Sequence, residues 1–383
     1  MKRKILAIFS AFFIIALLSG CWDKIEINAR GFVIGLGIDK LSEKEKKKES
    51  DSIKVSFKIP NVALLGNKQS LTKEPSFYWE SKGETFDTVL NEIQSRSPFD
   101  LDLSHNKVII LGEDLLINED LFREVMDGIV RNKVFSRKMF ILASKQNASD
   151  IIKVKPTEQP IIGAYYVNIL TSAVKNGTAV DSTLNKVIRD IQENKVAVLP
   201  LTSIVENKKR TEIEGSAILK DYKLVGELSD EESRYLNMIT KKNYNVMDIH
   251  VNYKNVPVAY NITSTSSKLK VREKDNNLVL EIYIETEGDI TQHKLAVKGL
   301  VANDKGIREV EKLVEKKMED NIKSLIIKLQ KDYNADAIGV HSNIYKFNPK
   351  LYKKISDDWD HYFATMELNI KVNSKIRRIG IVR

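Results

Sequence analysis

Cysteine occurs once in 383 residues, at Cys21. A single thiol excludes an intramolecular disulfide, a Cys-rich zinc site and any redox pair, so stability must come from packed cores. Histidine is nearly as sparse: His105, His250, His293, His341 and His361 stand alone, the pattern of hydrogen-bonded structural groups rather than ligands. The chain has no phosphate-binding loop, Gly-x-Ser-x-Gly elbow or His-Glu-x-x-His helix. Long apolar runs are missing as well, with one exception at the very start.

That exception, residues 5–18, follows Lys2-Arg3-Lys4 and contains one Ser and no charge. As a helix it would reach roughly 21 Å, short of the roughly 30 Å hydrocarbon core, which favours a cleaved leader over a permanent span. Leu18-Ser19-Gly20-Cys21 has the form of a bacterial lipobox. We therefore expect residues 1–20 to be a lipoprotein signal peptide and Cys21 to carry lipid. Two acyl chains anchor stably where one binds marginally. The mature chain is expected to lie on the outer face of a membrane, held by lipid through Cys21.

The formal charge of +9 loses three units with the leader, leaving a mild positive balance suited to an anionic membrane surface. Export argues against nucleic acid as a partner. Apolar residues at 42 % and charged residues at 30 % are ordinary for globular protein, and the length calls for two or three domains.

Residues 29–39 read as a first strand loosened by three glycines, and the charged stretch 42–52 as a solvated hairpin loop. Ile53, Val55, Phe57 and Ile59 alternate with Lys54, Ser56 and Lys58, a half-buried strand stopped by Pro60. Phe86, Val89, Leu90 and Ile93 set a helical stripe closed by Pro98. Strands at 107–111, 139–143 and 197–205 alternate with helices around 121–129 and across 159–193, the latter split at Asn176-Gly177. The polar stretch Glu206 to Arg210 suggests a boundary. We expect an N-terminal α/β-type domain over 21–208 and a C-terminal α+β domain over 209–383, the latter open to subdivision into three domains in all.

In the second half, 215–219 and 224–228 flank a hairpin turn, and Ser229 with Glu232 forms a capping box. Strand patterns dominate 246–287. A long helix over 306–333 then carries Ile307, Val310, Val314, Met318, Ile322, Leu325 and Leu329 on one face, and a last strand passes through Met366, Leu368, Ile370 and Val372. The fold class is therefore α+β and multi-domain, with mixed or antiparallel sheets covered by helices and one long C-terminal helix.

Candidate chemistry is thin. Gly35-Leu-Gly37-Ile-Asp-Lys40 starts like a dinucleotide fingerprint but has Lys40 at the third glycine. Asp100-Leu-Asp102-Leu-Ser104 opens like a calcium loop, yet His105 replaces its glycine and Leu111 its terminal Glu. Asp357-Asp358 beside Trp359 is read as a solvated turn. No catalytic, cofactor-binding or metal residue is assigned, and the chain is not expected to be an enzyme.

Several stretches together resemble one family, the C subunit of the spore germinant receptors. They are Cys21-Trp22-Asp23, Gly35 to Asp39, Arg96-Ser-Pro98, Ser104 to Glu113, Arg131 and Arg137, Gly215 to Leu228, and Asp336-Ala-Ile-Gly339. One departure is Lys350-Leu351-Tyr352 after Pro349, where members often carry Trp; Tyr352 is the residue available for that packing role. The resemblance implies a lipid-anchored subunit at the inner spore membrane, acting with two membrane-embedded partners, the A- and B-type subunits, in nutrient-triggered germination. The alternative is a solute-binding lipoprotein that delivers a ligand to a transporter; a cell-envelope hydrolase is a third reading, disfavoured by the missing motifs.

Overall fold

The computed structural model describes residues 29–61, 76–156, 159, 161–205, 210–240, 247–275, 277–293 and 304–379, with 292, 293 and 379 by backbone alone. In chain order the first half contains β1 (Arg30–Phe32), β2 (Gly35–Lys40), β3 (Ile53–Pro60), β4 (Ser76–Gly83), α1 (Phe86–Arg96), β5 (Asp100–Asp102) and β6 (Val108–Gly112). There follow α2 (Glu113–Ile117), α3 (Glu119–Arg131), β7 (Phe140–Ser144), α4 (Ala148–Lys153), α5 (Ile162–Lys175), α6 (Leu184–Asn194) and β8 (Val196–Val205). Beyond these lie β9 (Arg210–Lys220), β10 (Lys223–Leu228), α7 (Asp230–Thr240), β11 (Met247–Tyr253), β12 (Val256–Lys274) and β13 (Asn277–His293). The chain closes with α8 (Asp304–Ile327), α9 (Val340–Phe347), α10 (Pro349–Ile355), α11 (Trp359–Thr365) and β14 (Glu367–Ile379).

The large sheet has the order β10-β9-β8-β7-β6-β2-β3-β4. Its centre, β2-β6-β7-β8, is parallel and its flanks are antiparallel. A parallel centre is covered on both faces, which explains why Val-Ile-Ile-Leu in β6 is apolar without alternation and wholly buried. α1, α2, α3 and α6 supply one core face, and α4 and α5 the other.

The expected first strand is two strands. β1 leaves the large sheet to pair in parallel with β5, while β2 sits centrally. The glycines mark where helices press on β2: a Cβ on Gly37 would meet the main chain of Ala148 at 3.0 Å, and one on Gly35 would meet Gly163.

β3 also departs from expectation, since all eight residues are buried and not half of them. α4 lies over the face that carries Lys54, Ser56 and Lys58, and the lysine is used rather than solvated. Lys58 Nζ donates to the carbonyls of Lys153 (3.2 Å) and Val154 (2.8 Å) at the C-terminal end of α4. The opposite end of α4 is held by Asp39, whose carboxylate accepts from the amides of Ala148 (2.5 Å) and Ser149 (2.9 Å). One short helix is thus bracketed by opposite charges from two neighbouring strands.

The polar stretch at the sequence-drawn division of 208 from 209 separates two strands of one sheet. β9 pairs with β8, and β10 with β9 through a turn in which Asp221 (φ 47°) and Tyr222 (φ 63°) are left-handed. The large sheet therefore extends to Leu228. α7 opens with the expected box: Glu232 N donates to Ser229 Oγ (3.2 Å) and Ser229 N to Glu232 Oε2 (2.8 Å).

The third sheet has the order β11-β12-β13-β14, antiparallel except for the parallel β13–β14 pair. Leu278, Leu280, Ile282 and Ile284 face α8, whose Val310, Val314, Met318, Ile322 and Leu325 are all buried. The helical path ends in a π-turn over Lys328–Asp332 that includes the buried Leu329. α8 touches both outer strands of this sheet. On the β14 side, Glu319 Oε1 accepts from Val372 N (3.0 Å), Glu315 Oε1 from Ser374 N (2.9 Å) and Glu311 Oε1 from Ile376 N (2.9 Å). Four helical residues rise roughly 6 Å and two strand residues roughly 6.6 Å, so the carboxylates meet alternate amides like rungs. On the β11 side, Lys317 Nζ donates to the carbonyl of His250 at 2.9 Å.

Candidate functional site

Cys21, the one residue singled out for modification, lies outside the described residues. The described chain begins at Ala29, beside β1, which locates where any upstream anchor joins the fold. Here Arg30 Nη1 lies 3.6 Å from Asp102 Oδ2, the His105 ring packs edge-on against Phe32 at 5.1 Å, and Phe77 stacks on Phe99 at 5.9 Å. Burial raises the Asp102 pKa, but hydrogen bonds from the Ser104 hydroxyl and amide and the charges of His105 and Arg30 outweigh it, leaving the pKa below the usual value. The pseudo-calcium motif is thus an ion-paired turn that fixes β5 to β1.

The other family-like motifs resolve into packing devices. Asp39, the end of the Gly35–Asp39 motif, holds α4, and Gly112 of the Ser104–Glu113 stretch must be glycine because a methyl would overlap the Asp39 carboxylate. Asn106 of that stretch is fully buried. Arg96 donates to Ser81 Oγ at 2.8 Å, Arg137 to the carbonyl of Val130 at 3.3 Å, and Arg131 to Asp127 at 2.6 Å. Gly215 (φ 75°) donates to Asp230 Oδ1 at 2.5 Å where β9 meets α7.

Asp336 repeats the Asp39 arrangement in the second half. It is 4 % exposed and accepts from Val340 N (2.9 Å) and His341 N (2.8 Å) at the start of α9, which leaves the left-handed Gly339 (φ 73°). Burial pushes its pKa up to about 6, opposed by those main-chain hydrogen bonds. Around it the second half is tied to the large sheet. Tyr333 packs on Gly226 of β10, Lys220 Nζ donates to Asn334 O (2.7 Å) and Asp360 Oδ2 (2.6 Å), and Ser342 Oγ to Asn194 Oδ1 (2.6 Å).

The His341 ring lies 4.9 Å from both Tyr352 and Trp359, so Tyr352 is one wall of an aromatic cluster. Burial lowers the His341 pKa, a Glu193 main-chain hydrogen bond only partly opposes this, and the Lys195 charge adds to it. That imidazole, stacked against two aromatic rings, is a packing group.

The remaining chemistry-bearing residues do not converge. His250 and His361 are exposed on β11 and α11, the His293 side chain is outside the description, and Asp357 and Asp358 are exposed in a 3-10 turn. Among the described residues no group of three or more His, Cys, Asp or Glu could hold a metal ion. Sequence reasoning missed the Glu311-Glu315-Glu319 rungs, although an i, i+4, i+8 repeat of one acid beside the buried stripe of α8 was a visible signal.

The chain matches two family models in tandem: "Spore germination protein N-terminal domain" over residues 23–204 and "Spore germination B3/ GerAC like, C-terminal" over 214–380. It belongs to this spore germination protein family. Curated relatives from Bacillus subtilis (strain 168) include spore germination protein B3, 24 % identical over 97 % of both chains. Spore germination protein A3 is 23 % identical over 99 % of this chain and 98 % of its own. Among solved structures, that of the GerBC protein aligns with a TM-score of 0.60 at 20 % identity, covering 92 % of this chain and all of that one. The two matches follow one another along the chain in the order that the resemblance implied, and the solved fold covers 92 % of it.

Proposed function

We propose that the chain is the lipid-anchored, non-catalytic C-type subunit of a nutrient germinant receptor. In this reading residues 1–20 are cleaved, Cys21 is acylated, and the folded units sit on the outer face of the inner spore membrane beside A- and B-type membrane-embedded subunits. The observation that carries it is the tandem match to both germination models, in order, with Cys21 placed two residues before the first begins. No helix among the described residues is long and apolar enough to cross a membrane. The three sheets described do not form the pair of parallel-sheet lobes that a solute-binding lipoprotein closes around its ligand.

The experiment is Cys21→Ala expressed in sporulating cells. The variant should keep its unfolding transition, lose acylation, leave the membrane fraction in a high-salt wash and fail to support nutrient germination. A Cys21→Ala form as firmly bound as the parent would refute lipid anchoring.

A further inference from the structure

The four-stranded sheet treats its two sides differently. Along β14 the outward amides of Val372, Ser374 and Ile376 are occupied by the α8 glutamates. On the other side β11 pairs with β12 only from Val256 to Ile262. β12 runs on to Lys274, hydrogen-bonded to β13 alone, so its second edge lacks a strand partner among the described residues. Unpaired strand edges are ready templates for another chain, and proteins ordinarily cover or charge them.

This edge borders a groove of about 560 Å³ whose other wall is α9. Six consecutive residues of β12, 267–272, line it. A strand face offers only alternate residues, so consecutive lining means that the main-chain edge itself is presented. The groove is bounded at one end by Ser267, whose hydroxyl donates to the last turn of α7 at Ile239 O (2.8 Å), and at the other by the Lys354–Glu273 ion pair. Its span is roughly 20 Å.

The lining has a definite chemistry. Lys268 and Lys270 are exposed and carry no ion pair among the described residues, whereas Arg272 is held by Glu281 at 2.9 Å. Leu269 and Val271 supply half-buried apolar surface above the buried Ile344, and Phe347 at the end of α9 is 79 % exposed. We propose that this groove docks an extended, acidic segment of a partner protein, which adds to β12 as a further strand. Main-chain donors and acceptors in alternation require a polypeptide; lipid headgroups offer no donors matched to the strand carbonyls. The two lysines select acidic side chains at alternate positions, and Leu269, Val271 and Phe347 receive apolar residues between them. The proposal does not rest on the receptor reading.

The test uses the full chain in detergent micelles and a labelled, end-blocked nine-residue peptide of alternating Glu and Val. Controls are its Lys/Val counterpart and a Glu/Val peptide with proline at its centre. Saturable binding of the first peptide is expected, with slowed amide exchange across 267–272 and roughly tenfold loss for either control. Lys268→Glu with Lys270→Glu, both on exposed side chains, should weaken binding by a similar factor. Equal binding of the proline peptide would reduce the effect to charge attraction and overturn the proposal. So would protection of 267–272 through concentration-dependent self-association, or binding of anionic vesicles, lost in Phe347→Ser, with no peptide binding.

Discussion

Tyr333 bonds both main-chain groups of one residue on the neighbouring sheet: its hydroxyl donates to Glu227 O at 2.7 Å and accepts from Glu227 N at 3.2 Å. The ring lies so close on Gly226 that any Cβ there would overlap it. Gly226→Ala should therefore destabilise the protein by about 2 kcal/mol, through overpacking and loss of those two bonds. In a Tyr333→Ala background the same substitution should be nearly silent. A double-mutant cycle by chemical denaturation checks this, and additive costs would dissolve the link.

The glutamate rungs predict a local effect. Glu315→Ala leaves the Ser374 amide without its acceptor, which costs about 1–2 kcal/mol. Hydrogen exchange at Ser374 and its neighbours should speed by roughly tenfold or more, while amides of β6 in the large sheet stay unchanged. Glu315→Gln keeps an acceptor oxygen and should lie between the two. Uniform acceleration across the chain would mean that the rung guards nothing in particular.

Asp336 carries a pH signature. Its folded pKa, about 6, lies above the ordinary aspartate value of 3.8, so the folded state binds more protons than the unfolded one between those values. Stability from this group is fully present below about pH 4 and falls as pH rises to about 6, by a total of roughly 3 kcal/mol. Asp336→Asn cannot ionise. The stability of the parent relative to the variant should therefore decline from pH 4 to 6 and level off above. A gap constant across that range in urea titrations would contradict the assignment.

Tether length gives a prediction tied to the receptor reading. From Cys21 to Ala29 there are eight steps of chain, at most roughly 28 Å. A flexible Gly/Ser insert of about thirty residues in this stretch should weaken nutrient-triggered germination, because it dilutes the folded units near their membrane partners. Acylation, protein level and germination by agents that bypass nutrient receptors should be unchanged. An unaffected nutrient response would make close placement dispensable.

Much of the architecture was legible because burial follows periodicity. The α8 stripe, the α1 stripe and the apolar run of β6 each fell where their patterns put them. β3 shows the limit. Its alternation was real, yet Lys58 reads as a solvent residue until α4, nearly a hundred positions later, brings the carbonyls that it caps. Asp39 and Asp336 stood out only as members of family-like motifs, because each acts on helix amides that folding alone brings near. The docking edge of β12 was hidden for a different reason: strand composition does not reveal where a pairing partner stops. Cys21 is the reverse case, legible in the sequence and outside the described structure.

β1 has a mechanical consequence. It is three residues long, stands outside the large sheet, and is gripped by β5 and the Arg30–Asp102 pair. Any tension applied to the chain upstream of residue 29 enters the fold through this small pair before it reaches β2. Three residues of pairing should give way before the eight-stranded sheet does, so a pull from an anchor would lengthen the leash by a few residues and leave that sheet whole.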